Sequence, residues 1–534
     1  MQINLLENFE RTVKDNNEKI AVKHRENKIS FGELKDMAQK LGTILTIKMQ
    51  KTKNHPIAVF LPKEINTVIA DIGIMYSSNL FMNLDVKTPR ERIDNILKQI
   101  EPIAIITDEK NKENLDNISI PCVLLDCVNW EDICVDEQLL LQQREGMIDT
   151  DPLCIINTSG STGTPKGVVL NHRSFFDFMT VSNEKFAFCG SEVLGSLSPV
   201  VFDIFNFEMC MMMFYGSQLV LLDSYLASFP ARLLEMLVSN NISLIFWVPS
   251  IMVTIANMRL LEKIELPALK MVWFAGEVFP TKQFLYWFDN LPQVRFVNLY
   301  GPIEITLDCT YYEIKQRPEE NKPLPIGIPY KNTDILILND KDRKCAIDEE
   351  GELCVRGTSL AMGYYNNTEK TAEVFVQNPL NSSYPELIYR TGDIVSLRKD
   401  GNIIFKGRKD SLIKHMGYRI ELGEIEHVIE NKLKLVKYCC AVYQYARKEI
   451  ILYYENEQEI STKEFRVALK RIFPAYMIPN IYERMDMLPR NVNGKIDRYM
   501  LKTKANREKE ILFGGGRLRR NNNWINVGQI GRAS

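Results

Sequence analysis

Long hydrophobic runs are missing from this chain of 534 residues: the richest, Met209 to Tyr215, falls far short of the ~20 apolar residues a membrane-spanning helix needs. An excess of either charge is missing too. Lys and Arg number 66 against 68 Asp and Glu, a net charge of −2, which excludes the broad basic footprint that nucleic acid or an anionic membrane attracts. The 11 cysteines lie scattered from Cys122 to Cys440, with no CxxC and no Cys/His spacing of a zinc site. The opening MQINLLENFERTVKDNN sets acidic residues inside its apolar portion and so lacks a secretory core. These absences together predict a cytoplasmic protein in a reducing setting, with no nucleic-acid partner and no membrane insertion.

What is present is ordinary for a globular enzyme, with 45% hydrophobic and 25% charged residues. The length predicts two to four structural units. Short apolar strands such as HPIAVFL (55–61) and PIAIIT (102–107) alternate with helical stretches such as KEINTVIADIGIMYSSN (63–79). That alternation predicts an α/β fold with a mostly parallel sheet. SLIFWVPS (243–250), LKMVWFAGEV (269–278) and VRFVNLYGPIEIT (294–306) read as further strands that end in loops. Ligands of open α/β sheets gather at the carboxyl ends of strands, so these ends mark a candidate crevice. From Pro325 to Phe405 the text turns to short strands and turns, a small β subdomain.

The segment most suggestive of chemistry is NTSGSTGTPKG, Asn157 to Gly167. Gly160, Gly163 and Gly167 let backbone approach a ligand, while Thr158, Ser159, Ser161, Thr162 and Thr164 add hydroxyl donors around an anion. Lys166 adds a cation. The order excludes a Walker A loop, because Lys166 precedes the last glycine and no Ser or Thr follows it to hold a metal. No GxGxxG opens a helix either. A flexible surface loop is the competing reading. PVVFDIFNFEMCMMMFYG (199–216) reads as an almost wholly apolar helix with one early carboxylate, Asp203, which is either an N-cap or a ligand.

The ordered glycine, serine and threonine string resembles the phosphate loop of the adenylate-forming superfamily, which includes acyl-CoA synthetases, luciferases and the adenylation domains of nonribosomal peptide synthesis. Further motifs match in the family's order: NLYGPIE, GELCVRGTSLAMGYYN, YRTGD, GRKDSLIKHMGYRIELGEIE and NVNGKIDR. The resemblance implies a large N-terminal adenylation core (1–406), a small mobile α+β C-terminal domain (407–502) and a disordered tail (503–534). It implies ATP and Mg²⁺ as cofactors. The phosphate loop Thr158–Thr164 with Lys166, then Gly276, Glu277, Asn298, Leu299, Tyr300, Gly301, Asp393, Phe405 and Arg408, would hold ATP. Within that set Tyr300 would stack on adenine, Asn298 would contact it, Asp393 would take the ribose hydroxyls and Arg408 ribose or phosphate. Glu304 would hold the metal, Lys495 would be the catalytic cation and Asp410 the hinge. Ile303 stands where the family has threonine, a lost hydroxyl for which Thr306 is a candidate replacement.

In amino-acid-activating members an aspartate at the position of Asp203 holds the substrate's ammonium group. Beyond it the resemblance lines a pocket with Ile204, Phe207, Phe246, Trp273, Ala275, Leu299, Leu307 and Asp308, whose three aromatic rings favour a small side chain. The implied substrate is D- or L-alanine, serine or glycine, activated as its adenylate and passed to the phosphopantetheine thiol of a separate carrier protein. GYRIELGEIE is closest to D-alanine:carrier-protein ligases. An acyl- or aryl-CoA ligase, or a catalytically weak binding protein of the same fold, stays open at this point.

Overall fold

The computed structural model describes residues 4–159, 165–409, 412–445, 447–490, 496–513, 517–520 and 523–526. These fall into two compact units, Met1–Thr158 with Pro165–Asp410, and Ser159–Thr164 with Ser411–Ser534.

The larger unit is built on two mixed sheets. In the seven-stranded sheet Cys122–Leu124, Ala104–Thr107, Pro56–Val59, Leu80–Asn83 and Pro152–Thr158 run parallel, and Lys166–Asn171 and Gly363–Tyr364 close one edge antiparallel. The nine-stranded sheet orders Asn27–Ser30, Ile20–His24, Gln218–Leu221, Val193–Ser196, Leu244–Trp247, Met271–Phe274, Arg295–Tyr300, Thr310–Ile314 and Ile328–Pro329. Its interior is parallel and its edges are antiparallel. Branched and aromatic runs form these strands because both sheet faces are covered, as parallel sheets require.

As expected, the 294–306 segment is a strand, to Tyr300, that ends in a loop, with a single tight turn at Ile303–Ile305. The TGD of 391–393 lies inside the eleven-residue strand Leu387–Leu397. That strand is central to an antiparallel sheet with Thr333–Leu338, Glu350–Gly357, Phe375–Gln377 and Ile403–Arg408, which is the expected β subdomain.

Between the sheets runs the Asp203–Tyr215 helix, buried continuously from Ile204 to Met213. Mostly apolar and buried around its circumference, it is a core helix. Gly216 stops it in the left-handed conformation (φ +77°), which a glycine adopts without the Cβ clash.

The smaller unit packs helices Leu422–His427 and Thr462–Leu469 against the sheet Tyr438–Gln444, Glu449–Glu455 and Ile481–Met485. Ile420, Ile425, Leu452, Phe465 and Leu469 form its buried centre. Ser461 and Glu464 cap the second helix reciprocally. Regular structure runs further into the 503–534 tail than its glycine-rich composition suggests. The helix Arg498–Phe513 is anchored by buried Leu501 and Ala505, and a hairpin pairs Arg517–Arg520 with Asn523–Asn526. No helix among the described residues is long and apolar enough to cross a membrane.

Candidate active site

At one end of the site, strand register brings Asp393 opposite Arg408. The Arg408 guanidinium donates to one Asp393 oxygen and, at 2.9 Å, to the Thr391 carbonyl. The Tyr300 hydroxyl donates to the other Asp393 oxygen. Burial, with Asp393 beside it, pushes that hydroxyl well above its ordinary pKa, so it remains a donor. The Asp393 N–H donates to Thr391 Oγ1 at 3.0 Å. Behind this cluster Glu352 accepts from the Gly392 N–H (3.1 Å) and Arg390 (3.0 Å), with Lys409 at 3.6 Å. A carboxylate offers about four lone pairs, so Asp393 retains acceptor capacity for further hydroxyls. The Phe405 ring lies 6.5 Å from that of Tyr300. Four residues picked from separate motifs, Tyr300, Asp393, Phe405 and Arg408, thus share one place.

The phosphate-loop flanks are in register, Asn157 opposite Gly167 and Thr158 opposite Lys166. Gly160, Ser161, Thr162, Gly163, Thr164, Asp410 and Lys495 lie outside the described residues. The Lys166 ammonium sits 5.5 Å from the centre of the Tyr364 ring, and the Tyr364 hydroxyl donates to Glu304 Oε1 at 2.8 Å. Glu304 is almost wholly buried. Ser159 groups with the smaller unit, its hydroxyl donating to the Arg419 carbonyl (2.7 Å) and accepting the Glu421 N–H (3.0 Å). Glu277, just past Gly276, accepts the Ser250 N–H at 2.9 Å and so caps the Pro249–Asn257 helix. Asn298 donates to the Pro325 carbonyl at 2.7 Å, which fixes its amide with Oδ1 as the acceptor end.

After Tyr300 the chain doubles back so closely that a Cβ on Gly301 would lie 2.2 Å from the Leu307 carbonyl oxygen. Thr306 (φ +54°) and Leu307 (φ +64°) both hold left-handed backbone, strain of the kind that clusters at functional sites. Ile303 packs against the main core. The Thr306 hydroxyl is buried without a hydrogen-bond partner.

The other end of the site is aromatic. Asp203 is the first residue of its helix, with Phe202 in the N-cap position, and its Oδ1 accepts the Ile204 N–H at 2.9 Å. One turn on, Phe207 stacks on Trp273 (4.9 Å, 25°) and meets Phe246 edge-on (5.5 Å, 82°). Phe246, Trp273 and Val297 are register neighbours, which puts them with Leu299 on one sheet face. All three aromatic rings are at most 1% exposed. The Trp273 indole N–H has no hydrogen-bond partner. Leu299, Leu307 and Asp308 are buried, and the Asp308 charge adds to burial in raising the Tyr330 hydroxyl. Phe186 and Phe188 complete the shell around Trp273 at 4.9 and 5.7 Å. Sequence reading missed these two because Phe186 ends a helix, Phe188 follows it, and neither belongs to a motif.

Comparison with known proteins accords with this geometry. Residues 9–365 match the AMP-binding enzyme family. The chain is 31% identical to bacitracin synthase 1 of Bacillus licheniformis over 482 residues, 89% of this chain but only 9% of that one. It is 29% identical to zwittermicin A synthase ZmaJ of Bacillus cereus, covering 92% of this chain and 93% of ZmaJ. In fold it resembles the Vibrio cholerae adenylation domain AlmE, with a TM-score of 0.81 at 20% identity over 94% of this chain and 98% of that one. The chain belongs to the AMP-binding enzymes, as an adenylate-forming enzyme related to the adenylation domains of nonribosomal peptide synthetases.

Proposed function

We propose that this enzyme activates a small α-amino acid with ATP as the aminoacyl-adenylate and passes it to the phosphopantetheine thiol of a separate carrier protein. The observation that carries the reading is the closed aromatic wall: Phe207, one turn beyond Asp203, stacks on Trp273, and Phe246 meets both rings edge-on. Asp203 takes the substrate ammonium, and the packed rings leave room for the side chain of glycine, alanine or serine. AlmE, similar in fold, was solved with glycyl-adenosine-5'-phosphate, which supports a small acyl group.

On the nucleotide side Asp393 takes the ribose hydroxyls while Tyr300 and Arg408 hold it in place. Asn298 presents an acceptor to adenine, Phe405 flanks the ribose, and Gly276 and Glu277 form the adjoining turn. The loop 158–164 with Lys166 donates to the phosphates. Glu304 offers a hard oxygen ligand that fits magnesium, and no group of three or more His, Cys, Asp or Glu gathers among the described residues. Phosphate oxygens and water would complete the coordination, as magnesium prefers. When bound, the ion offsets phosphate charge. Lys495 stabilises the charge that develops as the carboxylate meets the α-phosphate, so rate comes from positioning and electrostatics. Asp410 is the hinge between half-reactions.

The test is ATP–pyrophosphate exchange across glycine, both alanine enantiomers, serine, phenylalanine and a set of fatty and aryl acids. Exchange confined to the small amino acids supports the reading. Strong exchange with phenylalanine, or with an acid lacking an α-amine, overturns it and favours a CoA-ligase assignment.

A further inference from the structure

Behind Asp203 lies a polar cluster that neither the motifs nor the reaction accounts for. Lys63 follows the strand Pro56–Val59, and its ammonium donates to two backbone carbonyls, Ser196 at 2.8 Å and Ser198 at 3.1 Å. Ser196 ends the strand Val193–Ser196, and Ser198 begins the segment that leads into Asp203. Glu208, five residues past Asp203 on a largely apolar helix, is 1% exposed, and its Oε2 has no hydrogen-bond partner. The Ser198 hydroxyl is likewise buried and unpartnered, while that of Ser196 lies close enough to the Glu208 carboxylate to act against the rise in its pKa. Burial lowers the Lys63 pKa and raises that of Glu208, while the charge of each opposes the shift of the other. Asp223 and Lys87 also face Lys63; Asp223 is held by Arg25 (2.9 Å) and His24 (3.3 Å), and Lys87 donates to Ser224 at 3.0 Å.

A buried carboxylate in a core helix is costly unless a charge answers it. Ile204 and Glu208 lie one turn apart, beside the stripe that carries Asp203 and Phe207. A cation that grips the segment entering the helix and attracts Glu208 from the same point therefore fixes both the axial position and the rotation of the helix. We propose that Lys63, acting with Glu208, is a positioning residue for amino-acid recognition: it holds the Ser196–Asp203 segment and the helix so that Asp203 and Phe207 face the substrate. The proposal rests on the assignment of Asp203 to the substrate ammonium. It concerns amino-acid affinity and leaves the nucleotide side untouched.

The experiment measures ATP–pyrophosphate exchange by the full chain and by Lys63→Met, Lys63→Arg, Glu208→Gln and Asp203→Asn, titrating ATP and each of glycine, L-alanine, D-alanine and L-serine separately. Lys63→Met is expected to raise the amino-acid KM roughly tenfold or more, since displacements near 1 Å cost up to about a hundredfold, with the ATP KM within about twofold. Lys63→Arg, which can donate to both carbonyls, should restore most of that loss. In the parent protein the amino-acid KM should climb with rising pH before ordinary lysines titrate, and Lys63→Arg should abolish that climb. Equal rises in both KM values, or no change in folded Lys63→Met, overturn the proposal. If Lys63→Met fails to fold by circular dichroism, Glu208→Gln decides by the same criterion. Failure of both to fold assigns the pair a structural role and also overturns it. Exchange that survives Asp203→Asn, or absence of exchange with all four amino acids, overturns the site reading itself. Loss in Asp203→Asn beside an unchanged Lys63→Met overturns only the positioning role.

Discussion

The two ends of the site solve opposite problems with opposite materials. Around Asp393 the contacts are polar and directional: a cross-strand arginine and a tyrosine hydroxyl hold the carboxylate, and the Thr391 hydroxyl oxygen accepts the Asp393 N–H. Around Trp273 the contacts are ring on ring, and the one polar atom, the indole N–H, has no hydrogen-bond partner. In the proposed site the first arrangement would preorganise acceptors for the nucleotide, which is the same in every turnover, and the second would set the size of the amino acid. Directional hydrogen bonds follow from register, whereas ring packing depends on volume and shape.

The sharpest way to break this contrast is at its junction with the substrate. Asp203→Ala should lower exchange roughly 10²- to 10³-fold for every amino acid, because an ammonium would then be desolvated without its partner. Unaltered ATP binding, measured by calorimetry, would confine the effect to the amino-acid end. Asp393→Ala should do the reverse. It leaves the Arg408 guanidinium, 13% exposed, without its carboxylate. Stability should fall by roughly 3–5 kcal/mol in denaturant titration, and the ATP KM should rise while the amino-acid KM holds.

Acid separates stability from both ends. His172 is buried, its Nδ1 accepts the Leu5 N–H at 3.3 Å, and burial pushes its pKa down to about 4. Between pH 6.5 and 4 the unfolded chain binds a proton that the folded chain does not. Stability therefore falls as pH drops through that window, by about 3 kcal/mol in all, and is fully present above it. His172→Asn should flatten that stretch of the curve. The smallest effect is on selectivity. Trp273→Phe removes part of the wall, and relative kcat/KM should move toward the next larger side chain by about tenfold, the scale of a methylene-sized change. An unchanged preference order would show that the wall does not set size.

Much of the fold was legible because apolar runs and their interruptions are local. The strands at 55–61, 102–107, 243–250 and 269–278 and the helix at 203–215 all form where their branched or continuous apolar text places them. The strand in 294–306 ends at Tyr300, where Gly301 lets the chain fold back on Leu307, a close approach that hydropathy alone does not signal. The TGD of 391–393 lies within a strand whose Asp393 pairs across to Arg408, a partner that no local pattern names. At the site, the motif residues Tyr300, Asp393 and Arg408 were recognisable one by one, but their mutual hydrogen bonds were not. Lys63 and Glu208 lie inside the segments read as helices, 63–79 and 199–216, but 145 residues separate them and nothing local in either segment signals their interaction.

The central claim is that the packed rings beyond Asp203 admit only a small α-amino acid. Incubating the enzyme with ATP, magnesium and an equimolar mixture of the common amino acids, and reading the enzyme-bound adenylates by mass spectrometry, tests it directly. The account predicts the mass of glycyl-, alanyl- or seryl-AMP. An adenylate of phenylalanine, leucine or any acid without an α-amine would contradict it.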